Sequence, residues 1–333
     1  MATAIPEREA VDPDTFARDI AESYQPVVLR GQVADWPAVA AGKGGAHAIV
    51  DYISQFDCGN RAEVMIGAPE AKGRFFYTDD MRGFNFHREK VPLRTLLAEL
   101  VRLDGSPDAP TLYAGAAAAG EHLPGWLEAN PLPLPTPGAM PRIWVGNATR
   151  VATHYDVSQN IACVVAGTRR FTLFPPDQIG NLYVGPLENT LAGQPTSMVD
   201  LDAPDFDRFP RFARALDTAM VADLEPGDAI FIPSLWWHNV DARASVNVLL
   251  NYWWGAKDET PSFPALVHAL LAIRDVPLAE RETWRVWFDH FVFSSDATTL
   301  EHLPESARGV LGPPSTARTR LMKDYLIRAL DRR

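Results

Sequence analysis

The segment THYDVSQN, residues 153–160, combines residue types that bind metal ions. His154 and Asp156 lie two residues apart, and alternate side chains of a β-strand point to the same face. An imidazole and a carboxylate on one face would supply two ligands of a metal site, which then needs a third ligand from elsewhere. The simpler alternative is an ordinary pair of polar residues on a strand surface.

A third ligand is available at His238, 84 positions after His154. The segment LEPGDAIFIPSLWWHNV, residues 224–240, predicts a strand, a tight turn and a second strand that carries His238. The separation is long enough for the chain to leave the first strand and return beside it. Two imidazoles and one carboxylate on one face of a metal leave its opposite face open, as in non-haem Fe(II) oxygenases.

The other histidines lack an acid two residues away on a predicted strand. We therefore predict structural or surface roles for them. These residues are His47, His87, His122, His268, His290 and His302.

The elements around these residues change character along the chain. Residues 142–255 contain short apolar runs broken by Gly and Pro, which is typical of an antiparallel double-sheet barrel. Before them, the apolar spacing predicts helices over 12–24, 46–56 and 91–103, a strand over 26–31 and a strand-like segment over 74–80. After residue 260, three segments with apolar residues every three or four positions predict helices.

Composition indicates a folded globular protein, since 47% of the 333 residues are apolar and 22% are charged. The net charge of −11 argues against broad affinity for nucleic acid or anionic membranes. Cys58 and Cys163 are too few and too far apart for a disulfide scaffold. The N-terminal segment does not resemble a signal peptide, and no apolar run is long enough to span a membrane. These features predict a soluble, cytoplasmic protein.

Three segments, HYDVSQNIACVVAGTRRFTLFPP, PGDAIFIPSLWWHNV and NVLLNYWWG, resemble the cupin-like branch of the JmjC-type oxygenases. They are most similar to the factor-inhibiting-HIF type of asparaginyl hydroxylases and its bacterial relatives. The resemblance is strong over about residues 142–255 and looser before them. It implies a mainly β fold with flanking helices, a double-stranded β-helix or jelly roll, and a C-terminal helical region. His154, Asp156 and His238 match the iron ligands of the family.

The expected domain division follows from this resemblance. A cupin-like JmjC domain would cover residues 1–258, with the barrel core at about 110–258, and a helical region would cover residues 259–333. The helical region carries many large apolar residues, and relatives in the family pair through such helices, so a homodimer is expected. The apolar residues in question are Phe263, Leu266, Leu270, Trp284, Trp287 and Phe288.

The cosubstrate implied by the resemblance is 2-oxoglutarate, whose distal carboxylate requires a cation. The family uses a lysine at the position of Arg169, and an arginine can also bind a carboxylate through two hydrogen bonds. Tyr113 matches a tyrosine that reaches the same carboxylate, and Asn160 and Asn251 match polar positions near the cosubstrate. A family threonine is replaced by Val151, which removes one donor.

The residues alone leave alternatives open. Arg169 could be a cation on the outer surface of a strand. Tyr113 could be a core tyrosine whose hydroxyl bonds to the backbone, and the two asparagines could be buried scaffolding groups.

The predicted function is an Fe(II)- and 2-oxoglutarate-dependent oxygenase that hydroxylates a C–H bond. The resemblance implies a protein side chain as the favoured substrate, with a small molecule as the alternative, while the charge of −11 disfavours the tRNA used by some relatives. Two other functions compete with this prediction. One is a metal-dependent isomerase or hydrolase on the same barrel, and the other is a non-catalytic cupin binding module.

Overall fold

Fifteen β-strands and ten α-helices form within residues 2–255, 262–294 and 300–331, which are the residues described by the structure, a computed structural model. The chain divides into two compact units, Met1–Ala256 and Lys257–Arg333. The predicted domain boundary at residue 258 lies outside the described residues. All of the predicted site residues belong to the first unit.

Six strands form the smaller sheet of the first unit. In spatial order they are β1 (Thr3–Ala4), β12 (Met220–Leu224), β11 (Arg169–Phe174), β14 (Trp237–Ala242), β9 (Thr149–His154) and β5 (Arg74–Phe75). The central pairs are antiparallel, and the short outer strands β1 and β5 add in parallel.

Nine strands form the larger sheet. In spatial order they are β2 (Glu7–Glu9), β3 (Val27–Arg30), β13 (Ala229–Ile232), β10 (Gln159–Ala166), β15 (Asn247–Trp254), β8 (Met140–Gly146), β7 (Thr111–Ala118), β4 (Arg61–Gly67) and β6 (Phe86–Pro92). All neighbours are antiparallel except β2 and β3.

Alternating side chains give the larger sheet two apolar faces. On β10, Ala162 and Val164 pack with Phe171 and Val240 of the smaller sheet, which forms the core between the two sheets. The intervening residues, such as Cys163, face the opposite side and pack against the N-terminal helices. Two facing, mainly antiparallel sheets with helices on the outside confirm the predicted jelly roll.

The helices of the first unit are short, and most of them cover the outer face of the larger sheet. Their bounds are α1 (Pro13–Thr15), α2 (Pro37–Lys43), α3 (Ala46–Ser54), α4 (Leu93–Arg102), α5 (Ala119–His122), α6 (Trp126–Ala129) and α7 (Phe212–Asp217). The helices of the second unit are α8 (Phe263–Ile273), α9 (Leu278–Phe288) and α10 (Thr316–Leu330). No helix in the described part of the chain is long and apolar enough to cross a membrane.

Two local predictions need correction. The helix expected over 12–24 begins as predicted, because the Asp12 side chain accepts a hydrogen bond from the Thr15 N–H, but it continues as a π-helical turn over Phe16–Ile20 and a 3₁₀ turn over Ala21–Ser23. The strand expected over 74–80 is limited to Arg74–Phe75, and the chain then turns back so that Tyr77 bridges to Phe84.

Candidate active site

His154 and His238 meet because their strands are neighbours in register. His154 is the last residue of β9 and pairs directly with His238, the second residue of β14. The two imidazole rings have centroids 4.3 Å apart. Directly opposed residues of antiparallel strands bring their side chains together on one face. The 84-residue separation in sequence is therefore closed by a single strand pair.

Both imidazoles are held in the same way. Nδ1 of His154 donates to the Ala152 carbonyl oxygen at 2.9 Å, and Nδ1 of His238 donates to the Trp236 carbonyl oxygen at 3.0 Å. A carbonyl only accepts, so Nδ1 carries the proton in both rings, and Nε2 keeps a free lone pair. This is the tautomer that a histidine needs to bind a metal through Nε2.

Asp156 completes the group from a loop. The two-residue spacing predicts that Asp156 lies on the same strand as His154. Instead β9 ends at His154, and Asp156 lies just beyond the strand. Its Oδ2 lies 3.7 Å from Nε2 of His238. Among the described residues, His154, Asp156 and His238 form the one group of potential ligands whose atoms all lie within 4.8 Å of one another.

His238 is buried, with 4% of its surface exposed. Burial and the neighbouring His154 lower the pKa of the His238 imidazole to about 4, although Asp156 opposes this shift. The ring is therefore neutral near pH 7 and available as a ligand.

A single cavity of about 120 Å³ joins the three residues to the other predicted site residues. The cavity is lined by the predicted cosubstrate-binding residues Tyr113, Asn160, Arg169 and Asn251. It is also lined by Val151, the residue that replaces the family threonine. The remaining walls are mainly apolar. The structure thus brings together every residue for which the sequence predicts a site role.

Arg169 lies at the deep end of the cavity. On β11 it is four residues from Leu173, which pairs with His238, so the two positions are separated by about 13 Å along the strand. Arg169 is 1% exposed, and its Nε and Nη2 atoms have no hydrogen-bond partner within the described residues. The interpretation as a surface cation is therefore wrong. The neighbouring Arg170 has the surface role, since it pairs with Asp223 at 3.0 Å.

Tyr113 is adjacent to this guanidinium. Burial raises the pKa of the Tyr113 hydroxyl, and the positive charge of Arg169 partly opposes the shift. Burial also lowers the pKa of Arg169, but an arginine remains charged in proteins. The Tyr113 ring stacks on Trp144 with centroids 5.6 Å apart. The deep end of the cavity is therefore a rigid, aromatic site with one buried positive charge.

The two asparagines bond to each other across adjacent strands. Nδ2 of Asn251 donates to Oδ1 of Asn160 at 2.9 Å, and Oδ1 of Asn251 has no partner within the described residues. The pair is buried on the cavity wall. Oδ1 of Asn251 is therefore an acceptor at the cavity wall that has no partner in the described part of the chain.

Other polar groups of the cavity have no counterpart in the sequence prediction. The Thr196 hydroxyl is buried without a partner among the described residues, and the backbone of Thr196 bridges to His154. The indole N–H groups of Trp144 and Trp253 are also buried and have no partner in the part of the chain that the structure describes. The position of Trp144 in the cavity could have been predicted from sequence. Trp144 lies between Ile143 and Val145 on one strand, so its side chain points to the opposite face from theirs. Thr196 lies in an irregular segment and gives no sequence signal.

A protein-family model described as a cupin-like domain matches residues 13–260 of this chain. The match covers the double-sheet unit except its first two strands, β1 and β2, and it includes all seven residues of the predicted site. The chain belongs to the cupin-like domain family.

Named relatives of this cupin-like protein agree with the family. It is similar to tRNA wybutosine-synthesizing protein 5 of Gallus gallus, with 28% identity over 76% of the chain and 77% of that relative. It is also similar to Jumonji C domain-containing protein 5 of Drosophila melanogaster, with 26% identity over 75% of the chain and 59% of the relative. The predicted membership of the cupin-like JmjC oxygenases is confirmed at the level of the family.

A shorter match has higher identity. Lysine-specific demethylase JMJ31 of Arabidopsis thaliana is 36% identical over 112 residues, which are 33% of this chain and 20% of the demethylase. The match with this relative therefore covers a third of this chain and only a fifth of the demethylase.

Proposed function

We propose that this protein is an Fe(II)- and 2-oxoglutarate-dependent hydroxylase. The observation that carries the proposal is that one cavity holds a potential metal site at one end and the buried guanidinium of Arg169 at the other, with no partner for its Nε and Nη2 atoms among the described residues. This arrangement suits a dicarboxylate that chelates the metal with one end and pairs with the guanidinium through the other.

The donor set of the site fits the metal. His154 and His238 offer Nε2 and Asp156 offers a carboxylate oxygen, which is the set found in non-haem Fe(II) oxygenases. When bound, Fe(II) supplies the activation of O₂ that couples oxidation of the cosubstrate to hydroxylation of a C–H bond. The protein keeps both rings in the Nε2-binding tautomer through the Ala152 and Trp236 carbonyl groups.

The deep end of the cavity fits the cosubstrate. The guanidinium of Arg169 and the hydroxyl of Tyr113 would bind the distal carboxylate of 2-oxoglutarate, which would satisfy the Nε and Nη2 donors of Arg169. Asn160 and Asn251 would contact the middle of the cosubstrate from the cavity wall. Apolar residues such as Phe171, Ile232 and Leu249 keep this region dry, which strengthens the charged pair.

The proposed reaction balances as follows. One C–H substrate, one 2-oxoglutarate and one O₂ give one alcohol, one succinate and one CO₂. One oxygen atom of O₂ enters the alcohol and the other enters succinate, so 2-oxoglutarate supplies the electrons that the C–H bond does not.

We further propose a protein side chain as the substrate. The names of similar proteins include a lysine demethylase and a tRNA-modifying protein, so the family alone does not decide between protein and RNA. The net charge of −11 favours protein, because a net negative chain repels the phosphates of nucleic acid at long range. A small molecule is the remaining alternative.

Succinate formation tests the proposed function and separates it from a cupin of another class. Purified protein is incubated with 2-oxoglutarate and either Fe(II) or Zn(II), with and without O₂, and succinate is quantified by mass spectrometry. We expect succinate only with Fe(II) and O₂ together. Stoichiometric Zn(II) binding without any succinate under Fe(II) and O₂ would instead indicate a zinc-dependent isomerase or hydrolase.

A further inference from the structure

We propose that residues 191–194, called the gate segment below, form a movable wall between the cavity and solvent. The wall opens to admit molecules to the metal end of the cavity, and the side chains of Arg88 and Tyr77 hold it closed. Such a gate goes beyond the proposed function, since it controls access for any molecule that enters the cavity.

The gate segment is the part of the cavity wall that also faces solvent. Leu191, Ala192 and Gln194 all line the cavity. Ala192 is the one exposed residue among the described residues that line it, and Gln194 is half-buried. A single layer of chain therefore separates the cavity from solvent at this point, so an outward movement of these residues would open the cavity.

Both ends of the gate segment are fixed beside His154. On one side, Leu191 is buried in an apolar cluster that includes Ala152. Ala152 also supplies the carbonyl oxygen that holds the His154 ring. On the other side, Thr196 forms an antiparallel bridge with His154. The gate segment therefore crosses the cavity at its metal end.

Few bonds hold the gate segment between these fixed ends. In the described part of the chain, the backbone groups of Ala192 and Gln194 have no hydrogen-bond partner. The Gly193 N–H donates only to the nearby Thr190 hydroxyl, at 3.0 Å. Gly193 has a φ of +105°, which glycine adopts freely, and a Cβ there would meet nothing within 4 Å. Segments with few hydrogen bonds to the rest of the protein open locally at low free energy, so this span can move while its ends stay in place.

Two side chains from an earlier part of the sequence hold the N-terminal end of the gate segment. Nη2 of Arg88 donates to the Leu191 carbonyl oxygen, and the guanidinium lies over the Phe86 ring, 4.9 Å from its centroid. The Tyr77 hydroxyl donates to the Asn189 carbonyl oxygen at 2.6 Å. Outward movement of the gate segment breaks these bonds, so loss of either donor should favour the open state.

Alkylation of a thiol inside the cavity measures this opening. Ala162 is buried and lines the cavity, so the thiol of Ala162→Cys reacts in proportion to the time that the cavity is open. The exposed thiol is removed by Cys58→Ser. Cys163 is retained as an internal control, because it faces the outer core and reacts only when that core opens. The metal-free full chain is treated with iodoacetamide, and alkylation at each position is followed by tandem mass spectrometry.

Arg88→Ala and Tyr77→Phe should each raise the alkylation rate of the introduced thiol about tenfold, which corresponds to about 1.4 kcal/mol. Glu63→Ala is the matched control. It removes the ion pair between Glu63 and Nε of Arg88, at 3.0 Å, but keeps the bond from Arg88 to the gate segment, so the rate should stay nearly unchanged. Cys163 should react at the same slow rate in all of these proteins.

Three results would overturn the gate. The first is an unchanged rate of the introduced thiol in both Arg88→Ala and Tyr77→Phe. The second is an equal rise at Cys163 in a folded variant, since the fold as a whole would then have loosened. The third is reaction of the introduced thiol as fast as that of the exposed Cys58 in the wild type, since the cavity would then be open without any gate.

The gate and the proposed function are tested separately. If Arg88→Ala does not fold, Tyr77→Phe decides alone, because it keeps the aromatic ring in the apolar cluster and removes only the hydroxyl. The alkylation assay contains neither metal nor 2-oxoglutarate. Its result therefore does not depend on succinate formation, which tests the proposed function.

Discussion

The two imidazoles of this site are prepared for metal binding by their own strands. Each donates Nδ1–H to the carbonyl two residues earlier, so the same short-range contact selects the tautomer at His154 and at His238. The residue types and spacing predict the ligands from sequence, since His-x-Asp and a distant histidine are chemically distinctive. Thr196 was not predictable, because the position of its hydroxyl in the cavity depends on the folded path of an irregular segment.

The depressed pKa of His238 predicts a pH-dependent stability of the metal-free protein. The folded state resists protonation until about pH 4, whereas the unfolded chain takes up the proton near pH 6.5. Between these values the unfolded state binds more protons, so stability is lost as the pH falls through this window. At about 1.4 kcal/mol per pH unit the loss is on the order of 3 kcal/mol.

Urea unfolding in the presence of a chelator, at several pH values from 7 to 4, measures this effect. His238→Gln should remove most of the pH slope, while His47→Gln, at an exposed histidine of α3, should leave it unchanged. Identical slopes for the wild type and His238→Gln would show that another group is responsible.

Arg169 should control cosubstrate affinity and not metal affinity. Its removal leaves the distal carboxylate facing a dry site without a cation, which typically costs about 2–5 kcal/mol. Arg169→Ala should therefore bind 2-oxoglutarate roughly 30- to several-thousand-fold more weakly. Arg169→Lys should be milder, because it keeps the charge and loses only the second hydrogen bond.

Titration of 2-oxoglutarate in the presence of Fe(II) measures this loss. Arg170→Ala is the control, since Arg170 points to the surface and pairs with Asp223. The metal-free Arg169→Ala protein should not melt earlier than the wild type, because an unpaired buried charge costs stability. Equal affinity of wild type and Arg169→Ala would refute the assignment.

The register of neighbouring strands positions the residues of the site. The β9–β14 pair brings the histidines together, and the β7–β8 pair places Tyr113 opposite Gly146. Alternation of apolar residues predicts the strands, and the resemblance predicts their order. The end of β9 before Asp156 and the interruption of the helix after Thr15 were not predictable, because local hydrogen bonds outweigh the periodic pattern there.

Gly146→Ala tests the β7–β8 contact. An added Cβ would overlap the Leu112 carbonyl oxygen and lie 2.9 Å from Cδ2 of Tyr113, so the strand pair must move apart. We expect the free energy of unfolding to fall by about 1–3 kcal/mol and 2-oxoglutarate affinity to fall with it, because Tyr113 is displaced. Gly120→Ala, where a Cβ would meet nothing within 4 Å, should lower neither. Unchanged chemical denaturation of Gly146→Ala would contradict this description of the packing.

The helices of the second unit leave large apolar side chains exposed. None of the residues in α8, α9 or α10 is buried, although these helices carry large apolar side chains. Leu271, Val286 and Trp287 are 74%, 64% and 56% exposed. The spacing of apolar residues predicts these helices but does not specify what covers them. A helix face that is buried against a second copy of the chain has the same apolar pattern as a face that is buried within one chain.

We propose that a second copy of the chain covers these helices in a symmetric homodimer. Light scattering at micromolar concentration should give twice the chain mass. A chain truncated after residue 258 should have the monomer mass. A monomer mass for the full chain would exclude this role for the helices. A truncated chain that still forms a dimer and stays equally soluble would exclude it as well.

Anaerobic titration with Fe(II) in the presence of 2-oxoglutarate tests the central claim most directly. The proposed site predicts a weak visible charge-transfer band that saturates at one iron per chain and is lost in His154→Ala and His238→Ala, because both ligands belong to the one metal group in the described part of the chain. Absence of the band in the wild type, or its persistence at unchanged affinity in the double variant, would contradict the assignment.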